Sequence, residues 1–306
     1  MDKKTASSSF KERFKCWFNE KKRQIKYWFN ERKRQVKKNI NIIRELVKKN
    51  VKIQYRNSAI GAIWTVLNPL LNMLVMYVVF SKLFGDQDPT YALYLLCGNV
   101  VFNTMRGATT QSLPCLVQNR GLLTKNRISY SVFPISTNLA ALVNFAFSLI
   151  ALFGVMVVVH FQTFNNEMVG SIFSWNVFYI LIMLPALFLF NYGISLFLSA
   201  LYVFFRDVQH FYMVFLTLWT YLTPIFYKPE KLGDSPLIQG IIKINPMYHF
   251  VTFFRNVVYN LSAYGEMIGG KEIWQSLGSL YLIALLFLGL GGLSFVLTKR
   301  KFIFYI

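Results

Sequence analysis

Five long runs of this chain contain no Asp, Glu, Lys or Arg, and each is long enough to cross a lipid bilayer. They lie between residues 56 and 82, 127 and 167, 167 and 206, 207 and 228, and 272 and 299, and a shorter run lies between 88 and 106. Crossing about 30 Å of hydrocarbon takes roughly 20 apolar residues in a helix. A soluble helix carries charges on its outer face. The sequence therefore predicts an all-α integral membrane protein.

The uncharged runs predict six transmembrane helices, at about 61–81, 90–111, 133–160, 174–203, 208–227 and 274–298. An even number of spans places both termini on the same side of the membrane. On that side lie the basic arm at 1–57 and the loop residues Arg120, Lys125, Arg127, Arg206, Lys299, Arg300 and Lys301. Because basic loops stay in the cytoplasm, we expect both termini to be cytoplasmic.

Residues 1–57 are predicted to form a basic cytoplasmic arm ahead of a six-span domain at 58–306. The arm contains 19 of the 33 Lys and Arg but 5 of the 13 Asp and Glu. Residues 15–26 recur as 26–37, an offset of 11 residues that places equivalent side chains on one helical face. This pattern favours an amphipathic interfacial helix bound to anionic membrane lipid. A calmodulin-type target helix and a nucleic-acid patch are the alternatives, and we expect no nucleic-acid partner.

The sequence contains no recognisable catalytic motif. His160, His210 and His249 are far apart, and neither a zinc-protease nor a serine-hydrolase motif is present. Residues 265–272 resemble the start of a phosphate-binding loop, but Glu272 stands where Ser or Thr must bind magnesium. We therefore expect no enzyme activity, metal or cofactor in this chain, and any ATP would be bound by another chain.

Arg106 is a charged residue inside the second predicted span. It could extend to the inner membrane interface, or it could face a polar pathway. The spans contain no acidic residue apart from Asp207 at an inner boundary, which disfavours a proton- or sodium-coupled carrier.

Four groups of short motifs, in order along the chain, resemble the permeases of polysaccharide-export ABC transporters. They are YRNSAIGAIW at 55–64 with LNPL at 67–70 and VVF at 78–80; VFFRDV at 203–208; TPIFY at 223–227; and INPMY at 244–248 with FR at 254–255. The resemblance covers nearly all of the predicted membrane domain. The family includes exporters of O-antigen, teichoic acid, capsule and rhamnose-rich glycans. Residues 1–40 depart from it.

The resemblance implies a homodimeric permease of the bacterial cytoplasmic membrane, bound to two copies of a separate ATPase that uses ATP and magnesium. The cargo would be a cell-surface polysaccharide on a polyprenyl-diphosphate carrier. An ABC permease for drugs or small lipids, and a membrane enzyme acting on lipid-linked sugars, are the alternatives.

By the same resemblance, the inner loop 112–132 is predicted to contain a coupling helix that contacts the ATPase. The ATPase-coupling residues are expected to be Gln118, Asn119, Arg120, Leu122, Leu123, Lys125, Arg127, Arg206 and Asp207. The alternative is a solvated basic loop.

Residues 228–272 are too apolar for a free loop and too interrupted by proline for a span. Two short re-entrant helices, at about 235–243 and 247–260, are predicted here, and the resemblance implies that they form an outer gate. The gate residues are expected to be Asn245, Pro246, Tyr248 and Arg255.

Aromatic rings suit a sliding sugar chain because they offer stacking surfaces without a fixed hydrogen-bond geometry. The candidate channel residues are Tyr77, Phe80, Phe102, Phe211, Tyr212, Phe215, Trp219, Tyr221, Phe226 and Tyr227. Each could instead face lipid or the membrane interface.

Overall fold

The computed structural model describes residues 3–55, 63–84, 90–125, 128–163, 178–229, 236–264 and 270–305. Within these ranges all regular secondary structure is helical, as predicted. Residues 56–62 of the first motif and Arg127 lie outside the described residues, as do the side chains of Phe80 and Lys125. The chain divides into two compact units, Met1–Glu45 and Leu46–Ile306.

Helix α1 (Lys3–Tyr55) is 53 residues long and includes both copies of the 11-residue repeat. In the first unit, the aromatic side chains Tyr27, Trp28 and Phe29 are exposed. The guanidinium carbon of Arg32 lies 4.5 Å from the ring centre of Trp28, and Nζ of Lys33 lies 5.1 Å from that of Phe29. Each pair is four residues apart, so one helical turn brings cation and ring together.

The second unit contains the end of α1 and a bundle of further helices. Its helices are α2 (Ile63–Phe84), α3 (Thr90–Ser112), α4 (Cys115–Gln118), α5 (Arg120–Lys125), α6 (Val132–Thr163), α7 (Phe178–Phe204), α8 (Val208–Leu222), α9 (Pro236–Ile244), α10 (Pro246–Tyr264), α11 (Gly270–Thr298) and α12 (Phe302–Tyr305). Each of the six predicted spans overlaps one helix, although α8 has 15 residues and ends at Leu222, before the end of the predicted span 208–227. Helices also occur where the two gate helices were predicted, as α9 and α10.

Three helical segments of the described chain are long and apolar enough to cross a membrane, judged by length and composition alone. They are Val132–Val159, Phe178–Phe204 and Lys271–Thr298. A shorter apolar segment, Val66–Val79, lies within α2. The three long segments support a membrane protein with several spans, whereas the count of six and the outer gate stay predictions.

Helix α3 lies at the centre of the bundle, where it packs against α2, α6, α7, α8 and α10. Most of its side chains are buried, including Thr104, Thr109 and Ser112. These three hydroxyls donate to carbonyls four residues earlier, at 2.8, 2.8 and 2.7 Å. Because protein surrounds most of this helix and its own carbonyls accept the hydroxyl protons, α3 tolerates these buried polar residues, which lower its hydropathy.

Helices α7 and α11 form the most extensive helix pair of the described chain. A Cβ atom added to Gly193 would lie 2.5 Å from the main-chain carbon of Phe287. A Cβ atom on Gly291 would overlap the carbonyl oxygen of Gly193. The two backbones therefore touch at a point that only glycine allows.

Candidate functional site

The non-helical stretch after α8, residues 223–227, is named here the capped segment because side chains from other helices bind its carbonyls. Arg255 Nη1 donates to the carbonyl of Pro224 at 2.6 Å and Nη2 to that of Ile225 at 2.9 Å. The Tyr91 hydroxyl donates to the Phe226 carbonyl at 2.6 Å, and the Tyr94 hydroxyl to that of residue 227 at 2.8 Å. Irregular backbone at membrane depth needs such partners, because no water is available there.

Arg255 connects α10 to both the capped segment and α3. Its side chain is 6% exposed, and Nε donates to the Tyr94 carbonyl at 3.2 Å. Its guanidinium carbon lies 3.5 Å from the ring centre of Tyr94. A Cβ atom on Gly98 would come within 2.5 Å of Nη2. Gly98 therefore leaves the space that the buried guanidinium occupies.

Asn245 lies between α9 and α10, at the predicted turn. Its Oδ1 accepts from Trp219 Nε1 at 2.7 Å and from the Met247 main-chain nitrogen at 3.0 Å, and its Nδ2 donates to Thr223 Oγ1 at 2.8 Å. The bond to Met247 satisfies an N–H in the first turn of α10, and Pro246 takes the first helical position, where a missing donor costs nothing. Asn245 and Arg255 thus both attach α10 to the capped segment.

The contact between α3, α10 and the capped segment is named here the joint. The other predicted gate residues, Pro246 and Tyr248, are partly buried beside it. Tyr91, Tyr94 and Gly98 supply the α3 side of the joint, and the sequence analysis did not identify these three residues. Their partners lie more than 100 positions away in the chain, so no local spacing indicates them. The local signal for them is weak: Tyr91 and Tyr94 are three residues apart at the start of the predicted span 90–111.

Nine of the ten predicted channel aromatics fall into three groups, and the tenth, Phe80, has a side chain outside the described residues. Phe211, Phe215 and Tyr221 are exposed on α8, with Phe211 the most exposed at 75%. Tyr77 and Tyr227 are partly exposed. Phe102, Tyr212, Trp219 and Phe226 are buried. The buried rings pack against other side chains of the same chain, such as Phe102 against Trp219.

Several of these rings border two apolar cavities. Tyr212, Phe215 and Trp219 line one of about 830 Å³ between α7, α8, α9 and α11. Tyr77 lines another of about 850 Å³ between α2, α3 and α6. Tyr212 also donates from its hydroxyl to Thr109 Oγ1 on α3 at 2.7 Å, which holds α8 against the central helix.

The predicted coupling loop forms the short helices α4 and α5. Leu116 on α4 is fully buried, whereas Gln118, Arg120 and Leu122 are exposed and Leu123 is partly buried. Asn119 Nδ2 donates to the Cys115 carbonyl at 2.8 Å, and Lys49 Nζ donates to Asn119 Oδ1 at 3.4 Å. This loop and residues 46–53 of α1 together line a cavity of about 260 Å³.

The coupling loop is tied to the bundle at its first residue. Ser112, at the end of α3, shares a hydrogen bond with Thr137 on α6 at 2.5 Å. The two remaining predicted coupling residues, Arg206 and Asp207, form an exposed turn between α7 and α8. This turn and α5 therefore lie at the surface, whereas α4 packs against α6 and α7.

Arg106 makes a contact with α8 rather than with the coupling loop. Its Nη2 donates to Thr220 Oγ1 at 2.7 Å, and its guanidinium carbon lies 5.6 Å from the ring centre of Phe102. Among the described residues, no group of three or more His, Cys, Asp or Glu is placed to hold a metal ion.

Comparison with known proteins identifies the class. A family model described as ABC-2 type transporter matches residues 42–259. An O-antigen export system permease protein RfbA from Myxococcus xanthus is 28% identical over 208 residues, which cover 68% of this chain and 76% of that protein. A protein of the same name from Klebsiella pneumoniae is 29% identical over 209 residues, with the same coverage of both chains. These matches confirm the resemblance seen in the motifs, and the chain belongs to the ABC-2 type transporter family of multi-pass membrane permeases.

Proposed function

We propose that this chain is the permease subunit of an ABC exporter that moves a polyprenyl-diphosphate-linked cell-surface polysaccharide across the bacterial cytoplasmic membrane. The observation that carries the proposal is the match to O-antigen export permeases, which extends over 68% of this chain. The family match supplies the permease class, and the names of these relatives supply the class of cargo. A transporter subunit of this family is not expected to act as an enzyme.

The exporter would contain two copies of this chain and two copies of an ATPase that binds ATP and magnesium. The near-match to a phosphate-binding loop at 265–272 lacks the hydroxyl that magnesium needs, so the energy would come from another chain. The exposed rings of Phe211, Phe215 and Tyr221 give α8 a surface suited to a second copy or to the cargo. The positive-inside rule supports cytoplasmic termini.

Helix α3 would transmit motion between the ATPase and the outer side of the membrane. At one end it continues into the coupling loop and binds α6 through Ser112 and Thr137. Toward its other end, Tyr91 and Tyr94 bind the capped segment, and Arg255 on α10 binds Tyr94. A push on α4 and α5 would therefore displace the predicted gate through one rigid helix rather than through loops.

The first test is to purify the tagged chain from its own membranes in mild detergent and to identify co-purifying proteins. We expect an ABC ATPase in a one-to-one ratio. Recovery of the chain alone would contradict the exporter assembly.

A second experiment identifies the cargo. Cells lacking the chain should lose the surface polysaccharide and retain it inside on its lipid carrier. The wild-type chain should restore it only when the ATPase partner can hydrolyse ATP. Unchanged surface polysaccharide, together with a loss of drug or lipid export, would favour an ABC permease for small molecules.

A further inference from the structure

The part of α3 that reaches the protomer surface is polar along one face. From residue 99 to the end of the helix, six residues are exposed or partly exposed, five of them with polar side chains, and the others are buried. The six, called here the polar stripe, are Asn99, Asn103, Arg106, Gly107, Thr110 and Gln111. Their spacing repeats every three to four residues, so they share one face of the helix.

The polar stripe differs from the surfaces of the apolar spans. Exposed side chains on α6, α7 and α11 include Ile150, Val158, Leu181, Leu286 and Leu290. Such surfaces suit lipid, because hydrocarbon provides no hydrogen-bond partners. Two amides and a guanidinium within one span do not suit lipid, so the stripe faces a different environment.

Hydrogen bonds within the protein use only some of the donors and acceptors of the polar stripe. Asn103 Nδ2 donates to Asn99 Oδ1 at 2.6 Å, and Asn103 itself is exposed. Arg106 Nη2 donates to Thr220 at 2.7 Å, while its Nε is buried without a hydrogen-bond partner. A guanidinium carries five N–H donors and an amide has both donor and acceptor atoms, so several remain for water or a ligand.

A second copy of the chain is a poor cover for this face. In a two-fold contact the same patch of each subunit meets, and a residue meets its own copy only at the axis. With the axis at the middle of the stripe, the two Arg106 side chains would come together inside the membrane, where like charges repel most strongly. Water and a hydrated ligand avoid this repulsion.

We propose that the polar stripe lines a water-filled path through the membrane domain and hydrogen-bonds the hydroxyl groups of the transported sugar chain, with Arg106 as its central donor. Amides and a guanidinium match hydroxyl groups because they offer donors and acceptors in fixed planes. The sugar in this inference rests on the proposed function, whereas the access of water does not.

The test is thiol labelling in permeabilised cells, in a Cys16→Ser background, since the native Cys97 and Cys115 are buried. Asn103→Cys places a thiol in the stripe, and Leu286→Cys places one on α11, where the native side chain is 52% exposed. A thiol reacts as its thiolate, which water stabilises and hydrocarbon does not. A small cationic thiosulfonate should label Asn103→Cys completely while Leu286→Cys stays unlabelled. Equal labelling of both, or oxidant-induced dimers of Asn103→Cys without labelling, would overturn the water-filled path.

Export by variants of Arg106 tests the ligand. Arg106→Leu should lose export, and Arg106→Gln should lower it about tenfold or more, as for a lost hydrogen bond to a charged donor. Asn103→Cys in the Arg106→Gln background should still be labelled, which shows that the fold and the path persist. Normal export by both variants would overturn the binding role. If the stripe is labelled but the wild-type chain exports no polysaccharide, the proposed function fails while the water-filled path stands.

Discussion

At the scale of single residues, Gly98 is a position where a side chain would meet the buried Arg255 guanidinium. A Cβ atom added to Gly98 would lie 2.5 Å from Nη2 of Arg255 and 3.2 Å from the side chain of Ile225. The guanidinium cannot retreat easily, because three of its N–H groups bind carbonyls. An alanine methyl at this position therefore competes directly with the bonds that hold the capped segment.

We expect Gly98→Ala to destabilise the protein by about 1–3 kcal/mol, as for other insertions into packed cores. Gly154→Ala is the matched control, since an added Cβ there meets nothing within 4 Å. It should be neutral or stabilising by up to about 1 kcal/mol, because alanine favours a helix. Thermal unfolding of both purified variants in detergent measures the difference, and equal midpoints would show that Arg255 moves aside freely.

The sequence indicated Asn245 and Arg255 through their motifs, but not what they bind. An Asn-Pro pair predicts a turn and a helix start from local chemistry, and both are found. The targets of Arg255 are carbonyls of a segment about 30 residues away. Every residue has a main-chain carbonyl, so the sequence does not indicate which carbonyls Arg255 binds.

At the scale of helices, the charge-free runs located α2, α3, α6, α7, α8 and α11, but not α10, a 19-residue helix that contains Arg255. They did so because Asp, Glu, Lys and Arg are excluded from lipid, which leaves charges as boundary markers. The charge-free run at 208–227 extends beyond its helix, because α8 ends at Leu222. Charges therefore do not mark every helix end. Pro224 has no N–H to continue the ladder, and side chains from α3 and α10 cap the remaining carbonyls instead.

The contact between α7 and α11 gives a second matched pair of glycines. We expect Gly291→Ala to destabilise the bundle by about 1–3 kcal/mol, because its methyl would overlap the Gly193 backbone. Gly292→Ala, one residue later, meets nothing within 4 Å and should be tolerated. Urea unfolding of the purified proteins distinguishes the two. Equal stability would mean that the helices can move apart at no cost.

The coupling role of α5 is tested by Leu123→Asp. If this partly buried side chain fits an apolar site on the ATPase, a carboxylate there leaves a charge without a partner, and export should be lost. Membrane insertion should be unaffected, because the residue lies in a loop. Export of the surface polysaccharide, measured against the amount of chain in the membrane, gives the answer.

The control for this prediction is Thr124→Asp, which adds the same charge at an exposed neighbouring position. It should retain most of the export. Normal export by Leu123→Asp, or equal loss by both variants, would remove the specific role assigned to Leu123.

At the scale of the whole molecule, the chain combines a membrane bundle with a separate basic unit, Met1–Glu45. The repeat predicted one amphipathic helix, and α1 is helical across both copies. Sequence could not predict the stacking of Arg32 on Trp28, because either side chain could equally extend into solvent. Paired in this way, the ring and the cation offer an anchor for the boundary between headgroups and hydrocarbon.

A peptide of residues 1–45 should bind vesicles that contain phosphatidylglycerol and should bind neutral phosphatidylcholine vesicles much more weakly. Raising the salt from about 0.1 M to about 1 M should release it, because the Debye length falls from about 10 Å to about 3 Å. Phe29→Ser should weaken binding about tenfold or more through lost apolar burial. The combined fluorescence of Trp17 and Trp28, both retained in this variant, reports all three effects. Equal binding to both lipids would exclude recognition of anionic lipid.

The joint between α3, α10 and the capped segment also restricts how such a chain can change over generations. A larger residue at position 98 needs a shorter side chain at 255, yet a shorter side chain there leaves the carbonyls of Pro224 and Ile225 without donors. Tyr94 and Arg255, 161 positions apart, are subject to the same restriction. Substitutions at positions 94, 98 and 255 would therefore have to occur together to be tolerated. When related genes recombine, we expect α3, α10 and the capped segment to come from the same parent gene.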